Sequence, residues 1–248
     1  LTVIGIVYWI SLSVFDVSFG GKAEVPSIAI IPFDNKGAEE DEFYAYSISS
    51  ELISDVTGAG LIRVASLKQI EELGDKTIEE KAQKLNVRYI TTGTLWKVDS
   101  VFQLSMEIYD TKISKVLWSE SWHKKWNELA SIKGNLAENI LKTLKVSTKQ
   151  DFNKVHTSNT EAYEYYLKAK DLFITATTEK DIDKAIEQCY KGIDLDKDFM
   201  DLYQWLGWIY YNKHDYVNAF KYNTYYNELA IKFESFIDVA WSYLYLGD

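Results

Sequence analysis

Cysteine is almost absent from this chain of 248 residues: Cys189 stands alone, so no disulfide can close within it. It falls on an apolar-facing helical position, where a small buried hydrophobe is expected rather than a reactive thiol. Histidine is scarce too. His123, His156 and His214 lie far apart with no ligand partner at helical or finger spacing, so no metal site is expected. Gly20-Gly21-Lys22 lacks the upstream glycine of a phosphate loop, and no Gly-x-Ser-x-Gly elbow occurs. Carboxylates are plentiful, but none sits at a strand end with a paired partner. The expectation is a segment that is not an enzyme, with no catalytic residue, no metal and no cofactor.

Positive charge is in deficit: 27 Lys and Arg against 37 Asp and Glu leave a net charge of −10. From residue 150 onward 17 acidic side chains face 10 basic ones, a net of −7. Such a segment repels phosphate backbones, so nucleic acid is not its expected partner; an interspersed acidic surface also serves plain solubility. Charge of either sign is missing from residues 1–15 (LTVIGIVYWISLSVF). A membrane span takes about 20 apolar residues. This run is shorter but starts at Leu1, so it reads as the tail of a span begun upstream, with residues 1–21 as the truncated segment and its flank. A secretory signal is one rival, though no small-x-small cleavage site comes after it. A buried core helix is the plainer alternative. No Lys or Arg appears before Lys22, which favours the outer side of the membrane, a periplasmic or extracytoplasmic location, for the rest of the chain.

Both prolines, Pro26 and Pro32, bracket a short Ile-rich run that reads as a buried strand. The acidic cluster Glu39-Glu40-Asp41-Glu42 suits a helix start by its charge and needs no catalytic explanation. Ile48, Leu52 and Val56 then share one helical face, and Gly58 and Gly60 end that helix. Leu61 to Ala65 reads as a second strand. Ser66-x-x-Gln69 and Thr77-x-x-Glu80 have capping-box spacing, and Gly74 closes the first of these two short helices. Ile90, Thr92, Thr94, Trp96 and Val98 alternate with neighbours read as more polar, as do Phe102, Leu104, Met106 and Ile108 after the turn at Asp99-Ser100. That pattern is a β-hairpin with one buried face. A strand over 116–122 and a helix over 127–146, striped by Leu129, Ile132, Leu136, Ile140 and Leu144, complete an α/β or α+β unit assigned to residues 22–148.

Residues 149–158 are polar and aperiodic and read as a linker, so the regions on either side are expected to fold separately. Helices are expected at about 159–176, 180–194, 200–212 and 216–231, with a last helical pattern from Phe236 to Gly247. Ala185 and Ala219 are 34 residues apart, and around the second the chain reads Tyr203-x-x-Leu206-Gly207-x-x-Tyr210, then Asp215-Tyr216-x-x-Ala219. This resembles a tetratricopeptide repeat, an all-α array over residues 159–248 in which small residues let paired helices approach closely. Asn223 and Tyr226 stand where that repeat usually has an aromatic and a small residue. Ala240, Tyr243 and Gly247-Asp248 match Gly207, Tyr210 and His214-Asp215 at 33 residues, so the array is expected to be incomplete and the chain a fragment at both ends.

The order of motifs also resembles the TolB-like amino-terminal domain that is found joined to such repeats. The matching blocks are Ser27 to Asn35, Leu52-Ile53-Ser54-Asp55, Leu85 to Ile90 with Gly93-Thr94, Ile108-Tyr109-Asp110 with Leu117 to Glu120, and Thr160-Glu161-Ala162-Tyr163-x-x-Tyr166-Leu167. The resemblance implies a single-pass bacterial signalling protein whose output module, commonly a class III adenylate or guanylate cyclase, a winged-helix domain or a kinase, lies ahead of the span. On that view this segment is sensory or binds a protein or peptide, and residues 1–15 meet the membrane. The family's groove implies partner-facing roles for Gln204, Trp208, Tyr211, Asn212 and Trp241; aromatics that only fill gaps between helices are the competing account. An envelope assembly scaffold with no output domain, or a cytosolic protein whose first residues form a buried helix, are the other functional readings.

Overall fold

The two prolines shape the first strand. A computed structural model describes residues 25–148 and 157–233. After Pro26, β1 (Ser27–Ile30) runs parallel to β3 (Arg63–Val64) on one side and to β4 (Tyr89–Val98) on the other. Pro32 cannot donate to a ladder, and the chain leaves β1 there before β2 (Asp34–Asn35) rejoins β4 further along. The Phe33 amide, freed at the break, donates to Ser49 Oγ at 2.8 Å. Gly93 gives Phe33 room: a Cβ there would lie 2.7 Å from the Phe33 ring and from the Ser105 carbonyl oxygen. The sheet continues antiparallel through β5 (Val101–Asp110) to the edge strand β6 (Lys115–Lys125), in the order β3-β1-β4-β5-β6. The β4–β5 turn is the expected Asp99-Ser100, with Asp99 at φ +51, as a tight two-residue hairpin requires.

One face of the sheet buries Ile28, Ile30, Leu95, Phe102, Leu104, Met106 and Ile108 against α1 (Glu42–Gly58) and α4 (Leu129–Thr143). The α1 stripe and all five residues of the α4 stripe lie in this core. A smaller core on the opposite face joins Ala29 and Ile90 to Ala65, Ile70, Ala82 and Val87 under α2 (Leu67–Glu71) and α3 (Ile78–Leu85). Both short helices begin with the expected capping boxes at Ser66 and Thr77. The face expected to be buried on β4 is corrected here. Ile90 is covered only because α2 and α3 lie over that end; Trp96, further along the same face, is 49% exposed, and Leu95 on the other face supplies the core. Covering elements, rather than alternation within the strand, decide which face is inside.

Among the described residues the chain continues as four helices in two hairpins: α5 (Thr160–Ile174) with α6 (Glu179–Leu195), and α7 (Met200–Asn212) with α8 (Tyr216–Lys232). Asn159, Thr178 and Asp215 side chains cap α5, α6 and α8 by accepting from backbone amides in the first turns. Close approach is made by small residues. Ala185 and Ala219 are buried, a Cβ at Gly192 would lie 2.6 Å from Leu202, and one at Gly207 would overlap the Asn223 carboxamide. Tyr210 and Tyr222 stack with ring centroids 5.5 Å apart.

The sheet region and the helices share an interface, although little in the sequence announces it. Helix α1 is two-sided: its second face, Tyr44, Ser47 and Glu51, is buried and meets α5. Among the described residues no helix is long and apolar enough to cross a membrane. The expected membrane segment at residues 1–15, most of the linker, the helical pattern from Phe236 onward and Trp241 lie outside the described residues.

Candidate functional site

The interface between α1 and α5 is built on charges that have left water. Glu51 is 2% exposed; its carboxylate accepts from the Tyr163 hydroxyl at 2.7 Å and from Lys170 Nζ at 3.3 Å. The Lys170 ammonium also lies 5.3 Å from the centre of the Tyr166 ring and 5.6 Å from that of Trp205. Burial, and then the Glu51 charge, push the Tyr163 phenol well above its ordinary range, so it remains a hydrogen-bond donor. A second link lies two turns earlier on α1, where the Tyr44 hydroxyl (2.9 Å) and Trp126 Nε1 (2.5 Å) both donate to Glu164.

Just beyond Glu51 on α1 is Ser54. With Gln204, Trp205 and Trp208 of α7 and Asn223 of α8 it lines a cleft of about 210 Å³. Trp205 and Trp208 stack on each other at 5.4 Å and 17°, and Phe173 meets both edge-on at 5.9 and 5.1 Å. Gln204 Nε2 donates to the Tyr226 hydroxyl at 3.3 Å. Asn223 is buried against Gly207, which leaves it space that no larger residue would. Trp205 Nε1 is enclosed and has no hydrogen-bond partner among the described residues.

Of the residues singled out in the sequence, Gln204 and Trp208 come together at this cleft. Tyr211 is 47% exposed and packs edge-on to Tyr216 at 5.8 Å. Asn212 turns back on its own helix, its Nδ2 donating to the Trp208 carbonyl at 2.7 Å. Neither lines the cleft. Sequence reasoning misses Trp205, although it shares the helical stripe of Gln204 and Trp208, and sees Asn223 only as a departure from the repeat pattern. Nothing in the sequence points to Ser54.

No group of three or more His, Cys, Asp or Glu among the described residues is placed to hold a metal ion. Cys189 is fully buried, and burial pushes its thiol far above the range of a nucleophilic cysteine.

No family model matches the chain. It is 25% identical over 124 residues to "Putative adenylate cyclase 3" of Rhizobium meliloti (strain 1021), a match covering 49% of this chain and 21% of that protein. Among solved structures it is similar to TolB from Acinetobacter baumannii (18% identity, 49% of this chain, 28% of that one, TM-score 0.37). PelC from Paraburkholderia phytofirmans, solved as a dodecamer, is 20% identical over 49% of this chain and 89% of its own, with a TM-score of 0.35. The carboxyl-terminal domain of LpoB from Escherichia coli is 12% identical over 46% of this chain and 93% of its own, with a TM-score of 0.33. The chain thus spans about a fifth of the length of the curated relative and about a quarter of that of TolB.

Proposed function

We propose that this chain is a non-catalytic sensory and protein-interaction region of a single-pass bacterial signalling protein: a TolB-like unit over residues 22–148, a linker over 149–158 and a tetratricopeptide array over 159–248. The observation that carries the reading is the pair of helical hairpins in series, held close by Gly192 and Gly207, with buried alanines recurring at Ala185 and Ala219. Repeated hairpins bury a continuous core by stacking and leave a long face for a partner. In this proposal the partner is a protein or peptide that meets Gln204, Trp208, Tyr211, Asn212 and Trp241. Residues 1–15 anchor the region in the membrane, with the soluble part on the outer side, and the signal passes through the span to an output domain. The name of the Rhizobium relative favours an adenylate cyclase as that output.

The test is capture by the immobilised full chain from a bacterial envelope extract, with variants as the readout. Trp208→Ala and Tyr211→Ala are expected to reduce recovery of a defined partner at least tenfold while the protein remains folded. Recovery that is indifferent to both substitutions overturns the proposed groove.

A further inference from the structure

We infer that β6 is a docking edge for a second copy of this chain, the two strands pairing antiparallel about a two-fold axis at Trp122 so that each Glu120 faces the partner's Lys124. This goes beyond the interaction role proposed above and uses none of its residues. The two ends of the sheet differ. β3 closes one with 2 residues, Arg63–Val64, too short to recruit a strand. β6 closes the other with 11 residues, Lys115–Lys125, free of proline and paired with β5 alone among the described residues. The outer row of N–H and C=O groups on such an edge is a template for another strand. Every residue of β6 is exposed except Trp118 and Trp122, which pack half-buried against the rim of the core.

The charges on β6 select both the occupant and the register. An irregularity in the pairing between Ile108 and Tyr109 leaves Trp118 to Lys125 as the regular part of the strand. There Trp118, Glu120, Trp122 and Lys124 lie on the core side, opposite Ile108, Met106, Leu104 and Phe102, while Ser119, Ser121, His123 and Lys125 lie on the other. Residues directly opposite in a strand pair share a face, so a two-fold axis between two copies of β6 falls on a residue. At Trp122 it sets Glu120 against Lys124 twice, with the two indoles between. On the other side Ser121 then faces the partner's His123, and Ser119 the partner's Lys125, with no like charges opposed. An axis at Glu120 sets carboxylate against carboxylate, and one at Ser121 leaves both charges facing indoles. Parallel pairing in register opposes like with like. The same two charges thus disfavour other arrangements and favour this one. Lys124 also lies 3.4 Å from Glu128 of its own chain, both side chains being nearly half exposed; such a surface pair contributes little and is readily exchanged.

Sedimentation of the full chain in detergent micelles at rising concentration reads the association, and the wild type is expected to pass from monomer to dimer. Glu120→Lys and Lys124→Glu should each weaken dimerisation roughly tenfold or more, because both opposed pairs become like-charged. Mixing the two variants should restore it, since each then meets the opposite sign. Both side chains are exposed, so the fold is retained, which circular dichroism checks. Oxidation reads the register. Cys189 is fully buried, so an introduced cysteine is the reactive one. A mixture of Ser121→Cys and His123→Cys is expected to form a disulfide-linked dimer, the two positions being directly opposite. Neither variant alone should do so, because its two thiols then stand diagonally, beyond the usual reach of a disulfide. Linkage of Ser121→Cys to itself overturns the register. A chain that stays monomeric, or a dimer indifferent to both charge variants, overturns the inference. So does a monomer whose capture of an envelope protein is lost on Glu120→Lys, which makes β6 an edge for another protein's strand.

Discussion

In the sheet region the core is mainly aliphatic: Ile28, Ile30, Leu52, Leu95, Leu104 and Ile108 supply most of it from alternating strand positions and helix stripes, with Phe33 and Phe102 among them. In the helical region the closest contacts are made by residues with little or no side chain, Gly192, Gly207, Ala185 and Ala219, and the spaces between are filled by tyrosines that stack and share hydroxyls. The two respond differently to change. An aliphatic core loses stability when side chains are trimmed, whereas a small-residue contact loses it when they grow. The joint between the regions obeys neither rule, because it is made of buried charge.

The largest effect is therefore expected at the joint. Glu51→Leu leaves the Lys170 ammonium buried without its carboxylate, a change that typically costs about 3–5 kcal/mol. Adding Lys170→Met should recover most of that loss, since an apolar pair of similar volume replaces the ion pair. Urea denaturation read separately by near-ultraviolet and far-ultraviolet circular dichroism checks both. Wild-type protein should unfold in one coincident transition, and Glu51→Leu in two. Two transitions already present in the wild type would mean that the joint does not couple the regions.

Next come the glycines. Gly207→Ala drives a Cβ into Asn223 and is expected to cost roughly 1–3 kcal/mol. Gly192→Ala should cost less, because the atom it meets first is the mobile end of Leu202. Gly93→Ala tests whether the contrast between regions is absolute. It lies in the sheet, yet its Cβ would meet the rigid Ser105 carbonyl at 2.7 Å, so it should behave like Gly207→Ala. Thermal melts of the three variants rank them; Gly192→Ala as the worst would show that the helices do not adjust around Leu202.

The same contrast decides what is legible in the sequence. Helices α5 to α8 begin and end within a few residues of expectation because a regular apolar stripe marks them locally, joined by a side-chain cap at the start of α5, α6 and α8. The α2 and α3 capping boxes are equally local. The buried face of β4 differs from expectation because the cover over Ile90 comes from α2 and α3 and stops before Trp96. The joint is illegible for a similar reason: Glu51 and Lys170 are 119 residues apart, and each alone looks like an ordinary solvated charge. At the site, Gln204 and Trp208 can be chosen from one helix's periodicity, but Ser54 comes from another region of the chain and only tertiary packing brings it there.

A smaller effect is expected among the tyrosines. The Tyr190 hydroxyl lies 3.0 Å from that of Tyr210 and 2.8 Å from that of Tyr222, and burial pushes its phenol above the usual range, so it stays protonated. Tyr190→Phe removes both contacts without changing the packing and should cost about 1 kcal/mol. Equal stability of the variant and the wild type in a urea titration would mean that water replaces the lost hydroxyl at no cost.

The smallest effect on stability is expected at Tyr211, and there the comparison turns from folding to binding. Leu206 is fully buried in the main core, and Leu206→Ala should cost roughly 2–5 kcal/mol. Tyr211, on the same helix, is half exposed and touches mainly Tyr216, so Tyr211→Ala should stay within about 0.5 kcal/mol of wild type. Exposed tyrosines make effective anchors because they bring a large amphipathic surface and only two rotatable side-chain bonds to order. Tyr211→Ala is therefore expected to melt like the wild type yet lose partner capture. Trp208→Ala should fall between the two, because that ring packs on Phe173 and Trp205 as well as lining the cleft. A thermal melt paired with the capture assay separates these outcomes. Normal melting and undiminished capture by Tyr211→Ala would remove Tyr211 from the groove and confine recognition to the cleft beside Trp208.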